Sequence, residues 1–161
     1  MSATTGSMKV TFSLEPGAWH GHATERLWAE KAGSNRYRLQ NSPFYASGVS
    51  LDDIVFADMD SDGQLVFRGV SLRGGHSTYR VMLKEPAQSD GFQKQWATLE
   101  ALGCRYEGVG GKLLSIDVPP SADIYAVYAL LQAGEQSGIW DFEEGNCGHP
   151  LREADATTET R

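Results

Sequence analysis

Alternation of apolar and polar positions dominates the first half of the chain. Val10, Phe12 and Leu14 recur at every second position over residues 9–15, the period of a strand with one buried face. Residues 16–24 lack that period and read as a loop. In residues 25–31, Leu27 and Ala29 face one side while Arg26, Trp28 and Glu30 face the other. Gly33, Ser34 and Asn35 supply turn residues, and residues 36–40 return with Tyr37 and Leu39 inward, which predicts a hairpin. The pattern breaks over residues 41–48 at Pro43 and Gly48. Phe44 and Tyr45 are too large and apolar there for a merely solvated loop, so they are expected to cover an open barrel end or to join a contact surface. Strands at residues 53–59 and 64–72 follow, joined at Asp62-Gly63, a strong hairpin turn. Short, closely spaced strands without an intervening helix predict a small antiparallel β-barrel over residues 9–75.

The period changes at residue 76. Residues 76–83 form a strand through Tyr79, Val81 and Leu83, which Pro86 ends. Ser89 or Asp90 caps a helix whose stripe is Phe92, Trp96, Leu99 and Leu102, and Gly103 stops it. Residues 104–108 and 112–118 pair across Val109-Gly110-Gly111, and Pro119-Pro120 closes that hairpin. Ser121 caps a second helix carrying Ile124, Val127, Tyr128 and Leu131, with Gly134 near its end. A last strand covers residues 139–143. This order predicts an α+β protein whose second module, residues 76–150, is a ferredoxin-like βαββαβ unit with both helices on one face. Right-handed crossovers are expected to put its first and fourth strands at the edges. Residues 151–161 contain one large apolar side chain and read as a disordered tail.

Composition narrows the class without naming it. The chain has 161 residues, 22% charged and 10% aromatic, which excludes a disordered, collagen-like or coiled-coil polypeptide. No apolar run approaches the roughly 20 residues that cross a bilayer, so no membrane association is expected. Residues 1–7 lack a cationic stretch leading into an apolar one, and the expected address is cytoplasmic. Cys104 and Cys147 form neither a disulfide framework nor a Cys-x-x-Cys pair.

Several tempting motifs fail on their own chemistry. Asp58-Met59-Asp60-Ser61-Asp62-Gly63 matches the first half of a calcium loop, but the position that must supply a bidentate acid is Gly69. His20-Gly21-His22 lies in a loop without a third ligand, Cys147 near His149 lacks an orienting group, and the glycines at 108, 110 and 111 precede no helix. No metal, cofactor or catalytic residue is therefore assigned. The polar cluster His76, Ser77, Thr78, Tyr79 and Arg80 sits where the modules join. It either satisfies buried backbone there or, with His149, lines a ligand cleft in which Arg80 pairs with an anion and His76 exchanges protons.

Charge separates the remaining classes. With 14 basic and 21 acidic residues the net charge is -7, the wrong sign for phosphate affinity, and Tyr106 stands alone where an RNA-binding sheet needs paired aromatics in basic surroundings. Nucleic acid is an unlikely partner on these grounds. Asp52, Asp53, Asp58, Asp60 and Asp62 cluster without a Lys or Arg among them, and Glu135, Asp141, Glu143 and Glu144 gather near the last strand. Such a face steers association with a basic protein.

The run Glu25-Arg26-Leu27-Trp28-Ala29-Glu30-Lys31, then Tyr37-Arg38-Leu39 and the stretch from Asn41-Ser42-Pro43-Phe44-Tyr45 to Leu51-Asp52-Asp53, resembles the bacterial family described as domain of unknown function 4265. So do His76-Ser77-Thr78-Tyr79-Arg80-Val81, Leu99-Glu100-Ala101-Leu102-Gly103-Cys104, and Asp141-Phe142-Glu143-Glu144-Gly145 with Gly148-His149-Pro150. The resemblance spans residues 9–150 and implies no particular activity. The leading expectation is a non-catalytic bacterial protein-binding module. A concrete form is an immunity protein or antitoxin that blocks a basic toxin domain through Trp28, Phe44, Tyr45, Asp52, Asp53, Asp58, Asp60 and Trp140. A small-ligand sensor or enzyme using the junction cleft is the alternative, and RNA binding the weaker one.

Overall fold

In the computed structural model, which describes residues 7–109 and 111–152, the alternating half of the chain forms β1 (Ser7–Ser13), β2 (Thr24–Gly33), β3 (Arg36–Leu39), β4 (Ile54–Met59) and β5 (Leu65–Leu72). Neighbours in sequence pair antiparallel, and β5 returns to β1 to close a five-stranded ring. The closing pair is parallel, with Val10 opposite Leu65, so the ring is not antiparallel throughout as expected. An odd number of alternating strands leaves the first and last running the same way. Val10, Phe12, Leu27, Ala29, Tyr37, Leu39, Val55 and Leu65 fill the interior. These are the inward positions of the period-two pattern. Asn35, at φ +56°, takes the left-handed conformation in the β2–β3 turn that asparagine tolerates better than most residues.

The second half forms β6 (Ser77–Leu83), α1 (Asp90–Glu100), β7 (Arg105–Val109), β8 (Leu113–Val118), α2 (Ile124–Gln136) and β9 (Trp140–Asn146). Its sheet is antiparallel in the order β7-β8-β6-β9. The first strand, β6, is therefore central, and the edges are the second and fourth strands rather than the first and fourth. Burial explains the difference: Ser77 to Val81 are buried on both faces of β6, a condition that only an interior position meets. Tyr79, Val81, Leu114, Ile116 and Val118 pack with Phe92, Trp96 and Leu99 of α1 and Val127 and Leu131 of α2 in one core. Ser89 caps α1 by accepting from the Phe92 N–H, whereas α2 is capped by Asp123, not Ser121, through the N–H groups of Tyr125 and Ala126.

The described residues are thus mostly β with two helices, an α+β arrangement. Residues 41–53 run from β3 across the sheet face opposite the helices before entering β4, which makes that segment the junction. Among the described residues no helix is long and apolar enough to cross a membrane. The expected tail lies outside the described residues apart from Leu151 and Arg152.

Candidate functional site

Arg80 organises the junction. Its position on β6 points it away from the helical core, opposite Ser115 and Glu143 on the neighbouring strands. The side chain is 3% exposed. Nε donates to Glu143 Oε2 at 3.1 Å, Nη1 to the carbonyls of Ala46 (2.7 Å) and Pro43 (3.4 Å), and Nη2 to that of Tyr45 (3.4 Å). Ser115 Oγ donates to the same Pro43 carbonyl at 2.7 Å. On the other side of this turn, the Glu25 carboxylate of β2 accepts from the N–H groups of Phe44 (2.6 Å), Tyr45 (3.0 Å) and Ala46 (2.8 Å). One turn thus gives its donors to a carboxylate on the ring and its acceptors to a guanidinium on the sheet. Glu25 was not expected as a key residue, because a single exposed-looking acid in an alternating strand carries no signal of the turn it binds.

The other cluster members are also committed internally. His76 lies between two carboxylates, with Nδ1 2.8 Å from Asp117 Oδ1 and Nε2 3.3 Å from Asp52 Oδ2. Burial pushes the Asp117 carboxyl above its ordinary value, against the opposing pull of His76. Ser77 Oγ meets His149 Nδ1 at 2.6 Å and accepts from the Gly148 N–H, while His149 Nε2 reaches the Pro119 carbonyl at 2.9 Å. Thr78 Oγ1 pairs with Ser50 Oγ at 2.7 Å, and Asn146 donates to that same Ser50 oxygen. Tyr79 donates to Glu144 at 3.1 Å, and its phenol is held well above its usual pKa by burial and by that acid. Among the described residues no buried side-chain polar atom lacks a partner.

The expected contact residues divide sharply. Trp140 is fully buried, packed in the helical core with its indole N–H donating to the Leu131 carbonyl, and so offers nothing to a partner. Asp53 is also buried: it accepts from the N–H groups of Ser50 and Gly74 and pairs with Arg73, bracing the junction from within. Asp60 holds the β4–β5 turn through the N–H groups of Asp62 and Gln64. That capping role accounts for an acid that looked like a calcium ligand. Asp58 is exposed beside Arg68, and Asp52 is half-exposed beside His76. Trp28 is exposed under the Lys9 ammonium, 4.9 Å from its ring centroid. Phe44 and Tyr45 are half-buried. The uniform acidic face expected over residues 52–62 is therefore broken up by burial, turn formation and pairing.

Two depressions flank β9. On its ring side a cleft of about 470 Å³ lies between Phe12 and Phe67 of the ring, Tyr45 of the junction and Glu143, under Trp19 and His20. It continues along the sheet as a recess of about 250 Å³ lined by Trp19, Met82, Leu113, Asp141 and Phe142. Tyr45 stacks on His22 with centroids 4.4 Å apart, and Trp19, 57% exposed, stands edge-on to it. His20 Nδ1 accepts the His22 N–H, so this histidine pair is tied into its own loop. Sequence reasoning missed Trp19, since residues 16–24 have no period to place it. On the helix side of β9 a groove of about 570 Å³ runs past Tyr125, Tyr128, Glu135, Phe142, Glu144 and Cys147. Cys104, by contrast, is buried, and burial pushes its thiol up to about 12. No set of three or more potential metal-ligating side chains is grouped among the described residues.

A ring of strands followed by a two-helix sheet defines the class by architecture. A hypothetical protein from Neisseria gonorrhoeae, known from its crystal structure, has a similar fold: TM-score 0.73, 19% identity, covering 93% of this chain and 100% of that one. No curated protein is significantly similar in sequence. The family described as domain of unknown function (DUF4265) matches residues 25–142, and the chain belongs to it. The matched range contains both arms of the junction clamp, Glu25 and Arg80.

Proposed function

We propose that the protein is a non-catalytic binding module for a basic protein. One observation carries this reading: the polar side chains of the junction are spent inside the fold, while carboxylates gather around β9 beside open depressions. His76, Ser77, Thr78, Arg80 and His149 all have internal partners. Glu135, Asp141 and Glu144 also have partners but stay exposed, Glu143 is half-exposed, and all four border the recess or the groove. A carboxylate-rich surface with aromatic floors attracts lysine and arginine and discriminates against acidic partners. An immunity protein or antitoxin that covers a basic toxin is the concrete form of this reading. The closed ring and the order β7-β8-β6-β9 support reading the scaffold as a small barrel joined to a ferredoxin-like unit.

Affinity capture of the tagged protein from its native cells at moderate salt, followed by reconstitution with the purified partner, tests the proposal. The expected result is one basic protein in a stoichiometric complex that weakens as salt rises. A partner-free protein, or a complex with an acidic partner indifferent to salt, overturns it. The second reading, a small-ligand sensor, draws on the cleft under Trp19, whose size is that of an ordinary ligand pocket. It predicts a metabolite that raises the melting temperature, an effect lost in Trp19→Ala.

A further inference from the structure

We propose that the outer edge of β9 receives an extended, lysine- or arginine-bearing segment of the partner, which joins the sheet as an additional strand. This rests on the reading above and specifies where and how the basic partner is held. In the sheet, β9 pairs with β6 and is an edge strand. The Phe142 N–H turns away from β6 and meets Glu135 Oε2 at 3.4 Å, a long bond to a side chain, whereas the Gly145 carbonyl is taken by the Gly48 N–H at 2.9 Å. Between these points the backbone groups of Phe142 and Glu144 face outward, while those of Asp141 and Glu143 face Met82 and Arg80 of β6.

The side chains of this stretch alternate. Asp141 and Glu143 lie in register with Met82 and Arg80 on the ring side, while Phe142 and Glu144 lie in register with Val81 and Tyr79 on the helix side. A strand added here sends its own side chains alternately toward the same two depressions. Backbone pairing then supplies affinity and the recesses supply selectivity. Trp19, Met82 and Leu113 offer apolar walls on one side, and Tyr128 and Phe142 an aromatic floor on the other.

Charge selects the occupant. Glu143 pairs with Arg80 and Asp141 with Lys84, but Glu144 accepts from a phenol and Glu135 from a backbone N–H. Carboxylates therefore border both depressions, with the helix-side pair facing neutral donors. Two copies of the chain placed edge to edge would oppose like charges, which disfavours self-pairing. A segment with basic side chains on both faces meets the complementary pattern.

The test uses a ten-residue peptide in repeating Lys-Lys-Val-Val order, which as a strand carries lysine on both faces, and the same peptide N-methylated at every backbone nitrogen, which leaves neither edge a donor. The expected result is binding that weakens with salt, slowed hydrogen exchange at the Phe142 and Glu144 amides, and loss of both with the methylated peptide. Asp141→Asn and Glu144→Gln, which keep side-chain shape and hydrogen-bonding capacity, should each weaken peptide binding several-fold while leaving the melting temperature unchanged. Binding without protection at β9, equal binding of the methylated peptide, or no binding of the basic peptide overturns edge addition. Failure of the capture experiment sinks the partner reading itself. A captured basic partner whose retention is unaffected by these two substitutions sinks only the β9 proposal.

Discussion

Arg80 has more acceptors than any other buried side chain at the junction, and its removal leaves three carbonyls and a carboxylate with fewer donors. Glu143 is half-exposed and can be solvated without Arg80, but a buried acceptor that loses its donor costs about 1–3 kcal/mol. Arg80→Ala is therefore expected to lower stability by roughly 2–3 kcal/mol in urea denaturation; a loss below about 1 kcal/mol, the level of an exposed pair, would contradict the burial argument. Thiol chemistry separates the two cysteines in the same way. Cys104 is buried with a thiol pushed up to about 12, and Cys147 is half-buried at the groove. Alkylation of the folded protein at neutral pH should label Cys147, and Cys104 only after unfolding, as mass spectrometry of the labelled peptides would reveal. At this scale the sequence was a partial guide. It marked the cluster from His76 to Arg80 as polar and central, but hydrogen-bond partners up to 96 positions apart at the junction cannot be read from spacing. Trp140 misled for a related reason: alternation says which residues share a face, not which face is covered.

Elements were more legible than residues, because periodicity is local. The inward positions Val10, Phe12, Leu27, Ala29, Tyr37 and Leu39 are the ones the alternation selects, and the stripe Phe92, Trp96 and Leu99 is the buried face of α1. Ends were less legible. Asp123 displaced Ser121 as the cap of α2, since Ala122 still belongs to the turn whose N–H reaches the Pro119 carbonyl. Gly134 stands near the end of α2 as expected, and it is buried there, with the Trp140 ring occupying the space of a side chain. The usual effect of glycine to alanine within a helix is a gain of about 1 kcal/mol. Here overpacking against a fully buried indole opposes it, at about 1–3 kcal/mol. Gly134→Ala should therefore lower the melting temperature, whereas a rise would mean that Trp140 moves aside freely.

At the scale of the whole molecule, ring and sheet are joined by charged groups removed from water, so their union should respond to pH. Asp117 of β8 faces His76, which also reaches Asp52 of the junction, and Arg105 acts on it from β7. Burial raises its pKa above the ordinary 3.8 in spite of His76 and Arg105, with Asp52 adding to the rise. The folded protein thus binds the Asp117 proton more tightly than the unfolded chain. Its stabilising contribution is full below the unfolded pKa and falls as pH rises through the folded value. Asp117→Asn cannot titrate, although it weakens the contact with His76. The melting temperature of this variant relative to the parent should therefore climb as pH is raised upward from about 3.8 through the carboxylate range, then level off. The opposite trend, a variant that loses ground as pH rises, would mean that attraction between the Asp117 carboxylate and His76 outweighs the cost of burying it. The junction would then be held by that ion pair in addition to the Glu25 and Arg80 clamp.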